Sequence, residues 1–197
     1  MMNRLVKAAG VSALAACFAH AALADPLSEL VAKGPVCYTR TYDKAHLDKH
    51  PLQTVTEVRL SLVVADDRDG AIIRVLVRTR ESPNYIVGGC NWVAKANLDI
   101  SGKPIIEAFK GPSGLNCWAL TTADGSSAEE GGDFPVDLKD GKSIYLYLTN
   151  FMAAWTSFDR TDAAEWLETG ADDEVFRLDR TDAGPCREMV DKLPWLL

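Results

Sequence analysis

The chain has 197 residues and a formal net charge of −7, with 28 acidic residues against 21 lysines and arginines. This acidic balance argues against a nucleic-acid partner, because phosphate binding needs clustered Lys and Arg. It also argues against electrostatic attraction to anionic lipid. A chain of this length fits one domain with a sizeable core.

The first 24 residues have the layout of a secretory signal peptide. Arg4 and Lys7 precede a short apolar run, and Ala22 and Ala24 supply the small residues of an A-x-A-like cleavage site. The run is too short for a transmembrane helix, which needs about 20 residues. Removing this segment leaves 19 basic and 28 acidic residues, a net charge of −9. We expect a periplasmic or secreted protein whose residues 25–197 form a single β-rich domain.

Cys17 supports an alternative interpretation of the same segment. Leu14-Ala15-Ala16-Cys17 resembles a bacterial lipobox, in which this cysteine would carry a lipid anchor. Both interpretations predict export, and they differ in whether the mature protein is free or anchored.

Four cysteines remain after the signal peptide, and an even number in an exported chain predicts two disulfides. They show no CxxC motif and no zinc-type Cys/His spacing. Among the three possible connectivities we favour Cys90–Cys117, which joins neighbouring apolar segments, and Cys37–Cys186, which ties the start of the domain to its end.

Alternating apolar and polar residues predict strands through the first half of the domain. The runs are VCYTRTY, TVTEVRLSLVVA, AIIRVLVRTR and YIVGGCNWVAKANLDI. In the third run Leu76 interrupts a polar face that includes Arg74 and Arg78. DDRDG before that run predicts a hairpin, and Gly88-Gly89 in the fourth indicates a bulge or a close backbone approach.

The second half continues with shorter strands, LNCWALTT, DFPVDLK, FMAAWTSF and DEVFRLDR. A polar, glycine-rich segment at 123–132 separates the first two and is the best candidate for a mobile loop. Asp140-Gly141 predicts a hairpin turn.

Helical patterns are short. PLSELVAKG near residue 30 is a helix or a loose leader, and TDAAEWLETG predicts a helix capped by Thr161 or Asp162 and ended by Gly170. The tail REMVDKLPWLL is helical in composition until Pro194.

About eight or nine short strands without βαβ alternation predict a mainly β protein. We favour a closed or nearly closed antiparallel β-barrel of about eight strands with short helices, because closure removes exposed edges. A disulfide between the first and last segments suits a closed sheet. A β-sandwich is the alternative.

His46 and His50 lie four residues apart in TYDKAHLDKHP, with Asp43 one turn earlier. Histidines at this spacing on a helix can share one metal ion. A transition-metal site usually needs three or four protein ligands, and Pro51 disfavours helical geometry at His50. We interpret the stretch as a solvated single-turn connector, with these histidines as weak metal or pH-sensitive candidates.

Two acidic clusters are also present, and neither is interpreted as a metal site. In ADDRDGA, Ala65 stands where an EF-hand needs Asp, so we interpret that segment as a hairpin turn. Asp172-Asp173-Glu174 is interpreted as a solvated strand edge balanced by arginines.

No catalytic residue or cofactor site stands out, because the chain has no G-x-S-x-G motif, no phosphate-binding glycine loop and only two mature histidines. Trp92, Trp118 and Trp155 fall in predicted strands. They are expected to fill a core or, alternatively, to stack on a ligand.

The ends CYTRTYDKAHLDKHPLQTV and ADDEVFRLDRTDAGPC resemble those of a group of uncharacterised exported proteobacterial proteins without an assigned activity. The resemblance implies export and pairing of the first and last strands. Together these features predict an exported binding protein, with a small apolar ligand expected inside a hollow, lipocalin-like barrel. A protein-interaction or hydrolase-inhibitor module, with a filled barrel and a contact loop such as Asp124 to Asp133, is the first alternative, and an enzyme of unidentified class the second.

Overall fold

A computed structural model describes residues 34–64, 70–94, 113–124, 131–138, 141–148, 151–160 and 164–193. The signal peptide, Cys17 and the helical pattern before Gly34 lie outside these residues. So do most of the DDRDG turn and residues 125–130 of the predicted mobile loop.

The described residues form ten strands and two short helices. Their bounds are β1 Val36–Thr41, α1 Lys44–Lys49, β2 Val55–Val64, β3 Gly70–Thr79, β4 Pro83–Ala94, β5 Ser113–Ala119, β6 Asp133–Asp137, β7 Ser143–Tyr147, β8 Met152–Ala154, β9 Glu165–Leu167, β10 Val175–Thr181 and α2 Gly184–Lys192.

Eight of these strands close into an antiparallel barrel in the order β1-β10-β7-β6-β5-β4-β3-β2. The first and last strands complete the ring, with Cys37 opposite Thr181 and Tyr38 opposite Arg180. The predicted barrel is therefore confirmed, and the sandwich alternative is wrong. The remaining strands, β8 and β9, form a two-stranded ribbon. An isolated bridge between Tyr85 and Trp155 joins the end of this segment to β4.

Apolar side chains fill the inside of the barrel. Their period-2 spacing places every second residue of each strand on the inward face, and together they form one continuous cluster, which we call the inner core. The following inward side chains are 0% exposed, so a water molecule reaches no part of them: Val58, Leu60, Leu62, Ile73, Val75, Val77, Ile86, Leu115, Phe134, Val136, Ile144, Leu146 and Leu178.

A second apolar cluster, the outer core, lies on the outside of the barrel beneath α2. The helix crosses β1, β2 and β3. The outer core comprises Cys37, Leu76, Tyr85, Val87, Leu120, Trp155, Cys186, Met189 and Leu193. Leu76, which interrupts the polar face of its strand in the sequence, is thus an outward residue covered by other elements.

Gly88 and Gly89 serve close backbone approach rather than a bulge. The register of β4 against β3 runs through both without a shift. A Cβ atom on Gly88 would come within 2.0 Å of the Trp118 carbonyl oxygen, and one on Gly89 within 2.4 Å of the Trp118 ring. Both positions of β4 therefore require glycine, because a side chain would collide with Trp118 of β5.

The helix predicted over TDAAEWLETG is wrong in its described part, because Glu165–Leu167 form strand β9. Its backbone pairs with β8, placing Met152 opposite Leu167 and Ala153 opposite Trp166. Helix propensity is a weak preference, and tertiary hydrogen bonding to a neighbouring strand overrides it here. The helices at α1 and α2 are confirmed, and α2 begins with Gly184-Pro185, earlier than its composition indicated.

The antiparallel order places all connections at one of two ends. We call the end where β1, β3, β5 and β7 finish the ribbon end, because it carries α1 and the β8–β9 ribbon. At the opposite end, Gly141 adopts φ 69° in the β6–β7 hairpin, as expected for the predicted turn.

Candidate functional site

Both predicted disulfides are present. Cys90 and Cys117 stand directly opposite each other on β4 and β5 in the inner core, with Cα atoms 4.0 Å apart. Cys37 and Cys186 join β1 to α2 across 149 residues of sequence, with Cα atoms 5.8 Å apart. Structural disulfides of this kind indicate an oxidising, extracytoplasmic compartment. Neither helix in the described ranges is long and apolar enough to cross a membrane.

The three tryptophans proposed as ligand contacts are distributed over both cores. Trp92 packs against the inner core, while Trp118 and Trp155 pack in the outer core. Trp155 is 3% exposed and lies beneath Arg160, whose guanidinium carbon is 5.6 Å from the ring centroid. Two of the three therefore lie on the barrel's outside, and none shares a cluster with both others.

The two histidines stack on each other at the ribbon end. Their ring centroids are 4.4 Å apart, and the planes differ by 21°. His46 Nε2 lies 3.0 Å from Gln53 Oε1, and His50 Nδ1 lies 4.0 Å from Asp172 Oδ2. Within the described residues, no group of three or more His, Cys, Asp or Glu side chains is placed to hold a metal ion. The connector itself is as predicted, a single-turn helix capped by Asp43, which accepts from His46 N at 2.8 Å.

Asp173 is a buried structural carboxylate and corrects the interpretation of the Asp172-Asp173-Glu174 run as a solvated edge. Its side chain is 0% exposed, whereas the residues on either side are exposed. It accepts hydrogen bonds from Thr54 N at 2.8 Å, Thr54 Oγ1 at 2.6 Å and Gly170 N at 3.1 Å. These bonds tie the turn before β10 to the start of β2.

All four exposed large apolar side chains of the described residues lie at the ribbon end. Their exposed fractions are 61% for Leu52, 61% for Phe151, 55% for Trp166 and 47% for Val175. We call these residues the ribbon-end patch. Scattered exposed apolar residues are ordinary, and their concentration at one end makes this end the candidate site.

The two aromatic members of the patch belong to the ribbon, with Trp166 in β9 and Phe151 directly before β8. Trp166 stands opposite Ala153, and its neighbour Leu167 is buried opposite Met152. Phe151 directly precedes Met152, so it lies immediately before β8 and is exposed there.

The segment that carries Trp166 is rich in carboxylates. The segment from Ala164 to Val175 contains five acidic residues and no Lys or Arg. Asp173 is the buried member, and the other four are exposed: Glu165, Glu168, Asp172 and Glu174. Asp124 and Asp133, the ends of the predicted contact loop, are exposed at the same end of the barrel.

Comparisons with known proteins found no match among family models, curated proteins or solved structures. The candidate site therefore stands on the geometry of this chain. Sequence reasoning placed Phe151 in an apolar strand and Trp166 in a helix, so it did not bring them together. The acidic run from Glu165 to Glu174 was the feature of the sequence that could have located this site.

Proposed function

We propose that this protein is a non-enzymatic, protein-binding module of the periplasm or the secreted fraction. Its ribbon-end patch contacts a partner with a cationic surface. One observation supports this proposal most directly. Every exposed large apolar side chain of the described residues lies at the ribbon end, where the Trp166 segment also has four exposed carboxylates.

The packing of the inner core favours this function over a hollow carrier. A lipocalin-like barrel needs an enclosed space to take up a ligand. Here inward side chains from all eight barrel strands lie in one cluster, and Tyr38, Phe134 and Phe176 occupy its volume. A small apolar ligand would have to displace these side chains.

The chemistry of the patch fits a protein contact. Exposed aromatic residues are the commonest energetic anchors of interfaces, because they bury a large area at low entropic cost. The surrounding carboxylates would attract a cationic partner and raise its association rate without adding much affinity. A basic hydrolase, as in a hydrolase–inhibitor pair, is one partner with this chemistry.

The proposal is tested by site-specific photo-crosslinking in the cells that make the protein. A benzophenone side chain is placed at Phe151, at Trp166 or, as a control, at the exposed Lys142 of the opposite end. We expect the first two positions to capture the same protein and the control to capture none. The captured protein should have a basic isoelectric point.

Affinity measurements with that purified protein complete the test. The double variant Phe151→Ser and Trp166→Ser should weaken binding at least 100-fold, because two interface anchors are removed. Raising the salt concentration should slow association. Equal capture at both ends, an acidic partner, or a co-purifying lipid in place of a protein would each overturn the proposal.

A further inference from the structure

Strand β9 has a neighbouring strand on only one of its two edges. The ribbon consists of β8 and β9 alone, paired through three residues on each strand. The other edge of β8 is occupied, because Ala153 N donates to Gly131 O at 2.8 Å and Trp155, the residue after β8, exchanges two hydrogen bonds with Tyr85. The outer edge of β9, meaning the edge that faces away from β8, has no strand beside it in the described residues.

The hydrogen bonds of β8 fix the direction of the Trp166 backbone groups. In an antiparallel pair, two opposite residues either exchange two hydrogen bonds or turn their N–H and C=O groups away from each other. Ala153 and Trp166 are opposite residues, and the Ala153 N–H bonds to Gly131 on the other side. The pair is therefore of the second kind, and Trp166 turns both its N–H and its C=O toward the outer edge of β9.

Ala164 agrees with this direction and marks where the unpaired part of the edge begins. It lies two residues before Trp166, so its N–H points to the same edge, and it donates to Thr121 O at 3.2 Å. Within the described residues, the Trp166 N–H and C=O form no hydrogen bond. The Trp166 side chain is 55% exposed, so solvent reaches this position. The unpaired edge starts at Trp166 and continues toward the exposed Glu168.

The charge beside this edge selects the kind of strand that can pair with it. A strand with unpaired backbone groups is a template for another extended chain, and charged side chains restrict which chains can add. Glu165 and Glu168 are exposed on either side of Trp166, and the segment from Ala164 to Val175 has no Lys or Arg. Like charges on neighbouring strands are destabilising and opposite charges are stabilising. The edge therefore disfavours acidic strands, including a second copy of β9, and favours cationic ones.

We propose that the partner contributes an extended, cationic segment that pairs with the outer edge of β9 as a third strand of the ribbon. This inference rests on the proposed function and adds how the partner is held. The segment exchanges two backbone hydrogen bonds with Trp166, and its alternating Lys or Arg side chains lie beside the Trp166 ring and the Glu168 carboxylate. A cation over an indole ring is attractive in itself. The added strand also stabilises the ribbon, because two strands alone are only marginally stable.

Amide hydrogen exchange measured by NMR tests the pairing with a defined peptide. The probe is acetyl-Lys-Val-Lys-Val-Lys-Val-Lys-amide, added to the purified protein. A second peptide is methylated on every backbone nitrogen, so it keeps the side chains and charge but can neither donate a hydrogen bond nor approach a strand edge closely. A third peptide has Glu in place of each Lys. We expect the first peptide at saturation to slow exchange of the Trp166 N–H by about tenfold or more, and the other two to leave it unchanged.

Two substitutions at Trp166 separate the backbone hydrogen bond from the side chain. Trp166→Ser and Trp166→Pro both remove the indole ring, but only proline removes the N–H. Because this N–H points away from β8, proline removes no hydrogen bond of the ribbon. We expect the proline variant to bind the first peptide about tenfold more weakly than the serine variant in a chemical-shift titration.

The Leu167 N–H reports whether β9 is intact in these variants. Leu167 lies opposite Met152 in a pair that exchanges hydrogen bonds, so its N–H should stay protected in both. If proline removes this protection, the first and second peptides on the wild type still decide the question.

Three outcomes would overturn the proposal. The first is equal binding of the unmethylated and methylated peptides, which would mean a contact through side chains alone. The second is a Trp166 N–H that is already protected in the free protein, and the third is unchanged exchange with the first peptide. None of them contradicts the proposed function, which fails instead if photo-crosslinking at Phe151 and Trp166 captures no basic protein.

Discussion

The inner and outer cores of this barrel are built on opposite faces of the same strands. The inner core is formed by all eight barrel strands, and its members include thirteen side chains without exposed surface. The outer core depends on a single short helix and one segment after β8. Buried unpaired polar atoms occur beside both cores, with Ser61 Oγ and Arg74 Nη1 on the outside of the barrel and Trp92 Nε1 against the inner core.

This difference follows from how a closed sheet is built. A closed sheet pairs its own backbone groups, so its inward face needs only apolar side chains of suitable size. The outward face carries residues patterned for solvent, and α2 covers some of them. The outer core is therefore expected to be the less rigid of the two, and predictions that compare the two cores test this view.

The largest effect is expected from the disulfides, one of which lies in each core. The chain-entropy model gives about 5 kcal/mol for a loop as long as that of Cys37–Cys186 and about 3.5 kcal/mol for that of Cys90–Cys117. We expect the double alanine variant of the outer pair to lose more stability in urea unfolding. All four cysteines are at most 2% exposed, so the gaps left by alanine are comparable. Equal losses would contradict the loop-length argument.

Substituting one leucine in each core by alanine measures how far that core can relax around a cavity. Leu146→Ala in the inner core should cost about 4–5 kcal/mol, because the closed sheet cannot collapse into the cavity. Leu76→Ala in the outer core should cost about 2–3 kcal/mol, because α2 can shift toward the gap. Urea unfolding with unchanged m-values measures both. A larger loss for Leu76→Ala would show that the helix is the more rigid element.

Removing each of two buried hydroxyls should change the free energy of unfolding in opposite directions. Thr54→Val removes a donor from the buried Asp173 carboxylate and should cost about 2 kcal/mol. Ser61→Ala removes an unpaired hydroxyl and should be neutral or stabilising by up to about 1 kcal/mol in buffers that contain only chloride. The free energy of unfolding measures both changes, and a clear loss for Ser61→Ala would mean that its hydroxyl is paired in the folded protein.

The smallest expected effect is a change in how stability falls at alkaline pH. Burial raises the pKa of Tyr42, at the margin of the inner core, and of Tyr85, in the outer core, above 10.0. The folded state therefore holds these protons more tightly than the unfolded chain. Their contribution to stability is complete below pH 10 and is lost as the pH rises through the folded-state pKa. Tyr42→Phe or Tyr85→Phe should reduce the fall in urea midpoint between pH 9 and pH 11, and an unchanged fall in both variants would contradict this assignment.

Much of the fold could be predicted from local pattern. Alternation along β2 and β3 predicted the strands and their inward residues, and the favoured one of three cysteine pairings gave both disulfides. The ribbon could not be predicted, since Glu165–Leu167 carries helix-forming residues and becomes a strand only by pairing with β8. The candidate site was missed for the same reason, because Phe151 and Trp166 meet only through that pairing.

By itself, the sequence determined the mainly β architecture, the four cysteines available for two disulfides and the acidic balance, because these depend on residue type and on the period-2 spacing within single segments. Only the tertiary structure decided that the barrel is filled, that exposed apolar residues gather at the ribbon end, and that α2 buries Arg74 beside Ser61. These features arise from contacts between residues distant in sequence, and no local pattern records which outward faces another element will cover.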